Sequence, residues 1–98
     1  MFDKFFTMRK GEKKKVLVVG YGDIVQLTVE GTIENNNAFE KVAYALEVIH
    51  NNVPETARWY SVAINQIFQL ELKDGESLTI HSEYDIDFHI NGQIYTVV

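Results

Sequence analysis

Ninety-eight residues, 46% apolar and 23% charged, can enclose one hydrophobic core but not a second. The absence of cysteine excludes disulfides, thiolate metal sites and thiol nucleophiles, and suits a reducing compartment. The net charge of −5 is uneven: residues 1–15 carry +4 and the rest −9, a balance that repels phosphate and argues against a nucleic-acid partner.

Residues 1–14 read as a basic, partly aromatic arm ahead of a single domain over 15–98. Phe2, Phe5, Phe6 and Arg9 fall at the spacing of a short amphipathic helical turn, which Gly11 interrupts. With Lys10, Lys13, Lys14 and Lys15 they could contact an anionic membrane surface; the plainer reading packs the rings on the body and leaves the lysines in water. No apolar run approaches the ~18 residues of a membrane span. No leader-like apolar stretch opens the chain. The expectation is a cytoplasmic protein, and the excess of lysine over arginine suits a bacterial source.

Lys15 to Gly20 is apolar throughout and reads as a central strand. Gly20-Tyr21-Gly22-Asp23 reads as a hairpin turn. Beyond it Ile24 to Glu34 alternates, with Val25, Leu27, Val29 and Ile33 inward and Gly31 marking a bulge. VLVVGYG imitates a dinucleotide-binding fingerprint, but position 25 is valine and a strand follows instead of a helix. VVGYGD imitates a potassium-channel filter without any membrane helix to hold it.

Asn37 with Glu40 three residues on reads as a helix start. Phe39, Val42, Ala43, Leu46 and Ile49 form a helical stripe ending at His50-Asn51-Asn52. Asn52-Val53-Pro54-Glu55 reads as a second helix start, so 53–66 is read as helical, although Trp59, Tyr60, Val62 and Ile64 also favour a strand. The last third holds alternating runs separated by Asp74-Gly75 and Asn91-Gly92. At the first, a three-residue loop over Lys73-Asp74-Gly75, with Gly75 left-handed, keeps Phe68 opposite Ile80 and Leu70 opposite Leu78. At the second, a two-residue turn sets Phe88 opposite Tyr95 on one face, and His89 opposite Ile94 and Asp87 opposite Thr96 on the other. The expected fold is therefore α+β: an antiparallel sheet of five to six strands with one or two helices on one face, in the order ββα(α)ββββ.

Chemistry-bearing residues are few. His81, Asp85, Asp87 and His89 share an outward row and could hold a transition metal, although same-face residues about 7 Å apart span one ion poorly. Ser61, Ser77 and Ser82 lie in no nucleophile context, and an enzyme is less expected than a binding protein. No cofactor is expected. The turn at Asn91-Gly92 leaves Ile94, Thr96 and Val98 outward, which suggests a protein partner or a homodimer formed through the last hairpin or an unpaired edge strand. The favoured expectation is a small non-enzymatic protein-binding or regulatory module; the arm as a peripheral membrane anchor and the histidine-aspartate row as a metal site are the alternatives.

Overall fold

The computed structural model describes residues 1–34 and 41–96. The described residues form eight strands: β1 (Phe2–Met8), β2 (Lys13–Val18), β3 (Asp23–Thr32), β4 (Val42–His50), β5 (Val53–Ala63), β6 (Ile67–Lys73), β7 (Glu76–Ser82) and β8 (Ile86–Thr96). They form two four-stranded antiparallel sheets: sheet A in the order β1-β8-β3-β6 and sheet B in the order β2-β7-β4-β5. The α+β expectation is overturned. There is no helix among the described residues, and one sheet of five to six strands is replaced by two of four.

The topology follows from one long hairpin. β1 pairs with β8, β2 with β7, β3 with β6 and β4 with β5, so the chain doubles back about the β4–β5 turn. Rolling that ribbon brings β3 against β8 and β4 against β7. The result is a double-sheet jelly roll.

Both predicted helices are strands. In β4 the buried residues Tyr44, Leu46 and Val48 recur every second position, with Ala45, Glu47 and Ile49 on the other face. The same segment satisfies a helical stripe and a strand alternation, and pairing on both sides, to β5 and β7, decides for the strand. Of the expected helix start, residues 35–40 lie outside the described residues. Asn51 and Asn52, read as a helix end and a new N-cap, have φ of 51° and 60°. Both central residues of a type I′ hairpin turn need positive φ, which asparagine tolerates, and His50 pairs with Val53 across it. The second predicted helix, 53–66, is largely β5.

Both predicted turns of the last third also change role. Asp74 and Gly75 have φ of 36° and 78°, so Gly75 is left-handed as expected. The strands they join do not pair: β6 lies beside β3 and β7 between β2 and β4. The turn is a corner between sheets. It is tied down by Gly75 N–H to the Val19 carbonyl at 2.8 Å, Asn51 N–H to the Gly75 carbonyl at 3.0 Å, and Gly22 N–H to Asp74 Oδ1 at 2.9 Å. Gly20-Tyr21-Gly22-Asp23 is likewise a corner and not a hairpin turn, since β2 and β3 lie in different sheets. At Asn91-Gly92 there is no turn. β8 runs through it, Gly92 pairing with Phe2 on one side and Leu27 on the other. A Cβ there would collide with the Gln26 carbonyl oxygen, so Gly92 serves a close backbone approach.

Residues 15–18 of the Lys15–Gly20 stretch lie in β2, an edge strand, where Val18 is exposed; the stretch is not a central strand. β3 keeps its predicted facing, with Val25, Leu27 and Val29 buried. Gly31 carries no bulge, because the β3–β8 register runs unbroken through it. Its missing side chain makes room for the Tyr44 ring, which packs edge-on against Phe88 at 4.9 Å between centroids. The core lies between the sheets: Met8, Leu72, Ile86, Phe88 and Ile90 from sheet A face Tyr44, Leu46, Val62, Leu78 and Ile80 from sheet B.

Candidate functional site

Cross-strand partners share a face, so the register lays out the outer surface of sheet A in rows. Tyr95, Ile24 and Lys73 form one row; Gln93, Gln26 and Glu71 the next; then Asn91, Thr28 and Gln69; then His89, Glu30 and Ile67. β1 extends the rows with Asp3 beside Asn91 and Phe5 beside His89. The two middle rows line a shallow groove of about 440 Å³ whose floor includes the backbone of Leu27, Leu70 and Gly92. At one end Phe5, 73% exposed, stacks on His89 with centroids 4.1 Å apart and planes 4° from parallel. His89 Nε2 lies 2.5 Å from Asp3 Oδ1.

The metal set is not brought together. His81 sits on β7 in sheet B and pairs through Nε2 with Glu47 Oε1 at 2.9 Å, beneath the Trp59 ring. His89 sits in sheet A. Asp85 accepts a hydrogen bond from Lys10 N–H at 2.8 Å, and Asp87 accepts one from the Thr7 hydroxyl at 2.7 Å. Among the described residues no group of three or more His, Cys, Asp or Glu is placed to hold a metal ion. Among the described residues His81 takes Glu47 as its hydrogen-bond partner, Ser82 donates to the Tyr84 carbonyl, and Ser77 is buried. Neither Ser82 nor Ser77 is paired with His81 as a nucleophile with its base.

The residues read as an arm form β1 and the start of β2. Phe2 and Phe6 turn towards the core and only Phe5 stands out, while Lys14 Nζ lies 4.6 Å above the Phe6 ring. Arg9 and Lys10 lie in the β1–β2 turn, and Lys13 and Lys15 point outward from β2 beside His81 and Thr79. Of the interface set, Ile94 is half exposed, but it pairs with buried Val25 and so lies on the opposite face from His89. Thr96 donates to Asp23 Oδ1 at 3.2 Å, and Val98 lies outside the described residues.

Among the described residues four strands are edges: β1 and β6 in sheet A, β2 and β5 in sheet B. β2 carries three lysines and a register shift between Lys15 and Leu17. β5 carries Pro54 and Arg58 and pairs with β4 through two irregularities. Arg58 is held protonated even more firmly than usual by its hydrogen bond to Glu76, 2.5 Å away, and a second to the Tyr60 hydroxyl. β1 exposes Asp3 and Lys4. β6 carries the charges Glu71 and Lys73 but no proline, glycine or bulge, and its register against β3 is unbroken from Ile67 to Lys73. Phe68 of β6 meets Tyr60 across the sheets with ring centroids 5.3 Å apart and planes tilted by 51°, so half-buried apolar side chains line that flank. Sequence reading missed this edge because it paired β6 with β7. Comparison with protein-family models, curated proteins and solved structures gives no match for the chain.

Proposed function

We propose that this chain is a non-enzymatic protein-binding module that assembles with a second copy through β6. The observation that carries the reading is the straight, bulge-free β6 edge, which among the described residues pairs only with β3. An open ladder is a template for strand addition, and a two-fold axis is the commonest way for a soluble chain to meet itself.

The β6 sequence Ile67–Lys73 is self-complementary about Leu70. Antiparallel pairing with Leu70 opposite its copy sets Phe68 against Leu72 on the core-facing side. On the outer side it sets Gln69 against Glu71 and Ile67 against Lys73, so no like charges meet. Sliding the centre to Gln69 pairs that residue with itself, and sliding it to Glu71 sets carboxylate against carboxylate, which is repulsive. A seven-residue edge buries less than ~1,200 Å², so the association belongs to the weak class, with dissociation in the micromolar range.

Charge substitutions at Gln69 test both the assembly and its register. Gln69→Glu places two new carboxylates opposite Glu71, once on each side of the axis, and Gln69→Lys places two ammonium groups there. At about 0.2–1 kcal/mol per cross-strand pair, two pairs change dissociation by roughly 2- to 30-fold, weaker for glutamate and tighter for lysine. Sedimentation velocity over a concentration series reads the result. Weakening by both substitutions moves the axis to Gln69, and strengthening by glutamate moves it to Glu71. A wild type that stays monomeric at high micromolar concentration ends the proposal.

The membrane reading gains less from the geometry, because two of its three phenylalanines pack inward.

A further inference from the structure

The groove on the outer face of sheet A has its own chemistry, independent of assembly through β6. Six polar side chains line it: Gln26, Thr28, Gln69, Glu71, Asn91 and Gln93. Their mutual hydrogen bonds orient them. Thr28 Oγ donates to Asn91 Oδ1 at 2.5 Å, Gln26 Nε2 donates to Glu71 Oε2 at 3.2 Å, and the Tyr95 hydroxyl donates to Gln93 Oε1. Asn91 Nδ2 lies 3.4 Å from His89 Nε2, but the short contact of that nitrogen with Asp3 uses its proton, so no lone pair there accepts from Asn91. The groups left facing the groove are donors on Asn91 and Gln93 and acceptors on Gln26, Glu71 and Thr28. They alternate at strand spacing, about 4.8 Å across and 7 Å along the sheet.

Donors and acceptors interleaved at these distances match a ligand whose every group is both, namely a hydroxyl. The charge on this face narrows the class. Among the described residues Asp3, Glu30, Glu71 and Asp87 outnumber Lys73 on this face, which disfavours phosphate, sulfate or carboxylate ligands. Two exposed aromatics flank the polar rows on the β8 side: Phe5, braced by His89, and Tyr95, 46% exposed. His89 and Tyr95 are six residues apart on β8, about 20 Å of strand. Flat ring faces at the two ends of a hydrogen-bonding strip suit an extended chain of pyranose rings, whose C–H faces stack on aromatic surface.

We infer that the groove formed by β8, β3 and β6 binds a neutral polyhydroxylated ligand, a linear oligosaccharide. Asn91, Gln93, Gln26 and Glu71 hydrogen-bond its hydroxyls, and Phe5 and Tyr95 stack on terminal rings. Pairing through β6 would set two grooves side by side, but a single chain contains the whole site.

The test uses the full chain, isotopically labelled, with cellohexaose, maltohexaose, xylohexaose and laminarihexaose titrated to about 10 mM, a ceiling that detects millimolar binding. At least one sugar is expected to shift the side-chain amide signals of Gln26, Asn91 and Gln93 in a saturable way. Gln93→Ala and Phe5→Ala should each weaken that binding about 5- to 10-fold, as loss of one hydrogen bond or one stacked ring does. Trp59→Ala, on the opposite sheet, should leave it unchanged. Four sugars that leave the amides unmoved overturn the inference. So does binding by both the Gln93→Ala and Phe5→Ala variants that is as tight as that of the wild type. An oligolysine that shifts the amides where no sugar does would reassign the groove to a cationic ligand.

Discussion

Gly31→Ala should destabilise the fold although Gly31 has no left-handed backbone to protect. A Cβ at this position would stand 2.7 Å from Tyr44 Cε1, 3.0 Å from Ile86 Cγ2 and 3.1 Å from Phe88 Cε1. All three side chains are almost fully buried, so none can swing into solvent. Overpacking a core by one methyl costs about 1–3 kcal/mol. Alanine returns about 0.4–1 kcal/mol by restricting the unfolded chain. The net loss is about 1–2 kcal/mol, and for a domain of this size each kilocalorie lowers Tm by roughly 4–8 °C. Thermal and urea unfolding of the purified variant measure it. Tyr44→Leu in the same chain removes the nearest atom, so the double variant should lose less than the sum of the singles. A Gly31→Ala protein as stable as the wild type would refute the packing of Tyr44 over this strand, and with it the stacking of sheet B on sheet A.

Tyr44 makes a second prediction. Its buried hydroxyl finds no hydrogen-bond partner among the described residues, so Tyr44→Phe should be neutral or stabilising by about 1 kcal/mol in urea unfolding. Burial also holds the phenol protonated well above the usual tyrosine range, with Glu30 adding to the effect and the nearby Gly31 backbone opposing it. The folded state then keeps a proton that the unfolded chain releases above about pH 10, so stability falls with rising pH from there, and Tyr44→Phe should flatten that decline. Gly75→Ala should cost about 2 kcal/mol, since alanine is strained at φ 78° and its Cβ would displace the Asn51 side chain; Asp74→Asn, which keeps an acceptor for Gly22 N–H, should change stability by less than about 0.5 kcal/mol. Arg58→Met should cost about 1–2 kcal/mol in urea, less than for a fully buried pair because Arg58 is half exposed, and adding Glu76→Gln should recover part of it.

Local chemistry determined much of this chain. The alternation of Val25, Leu27 and Val29, and of Ile86, Phe88 and Ile90, puts the same residues in the core that strand period alone selects. Gly75 is left-handed because few other residues accept that backbone at a corner. The candidate groove was also partly legible: Asp87, His89, Asn91, Gln93 and Tyr95 form one polar row once 86–96 is read as a single strand. Reading a turn at Asn91-Gly92 divided that row and sent Ile94 to the wrong face.

What remained depended on partners far away in the sequence. A left-handed pair such as Asp74-Gly75 has the same torsions whether its strands pair or part to different sheets; the choice belongs to β3, β2 and β4, which claim the neighbouring edges. Gly92 signals a turn by composition, yet its need is set by Leu27 and Gln26 pressing against its backbone. Residues 42–50 satisfy helical and strand periods together, and only hydrogen bonding to β5 and β7 separates them. The exposed β6 edge likewise has no signature of its own, because an edge is defined by which strands are missing beside it.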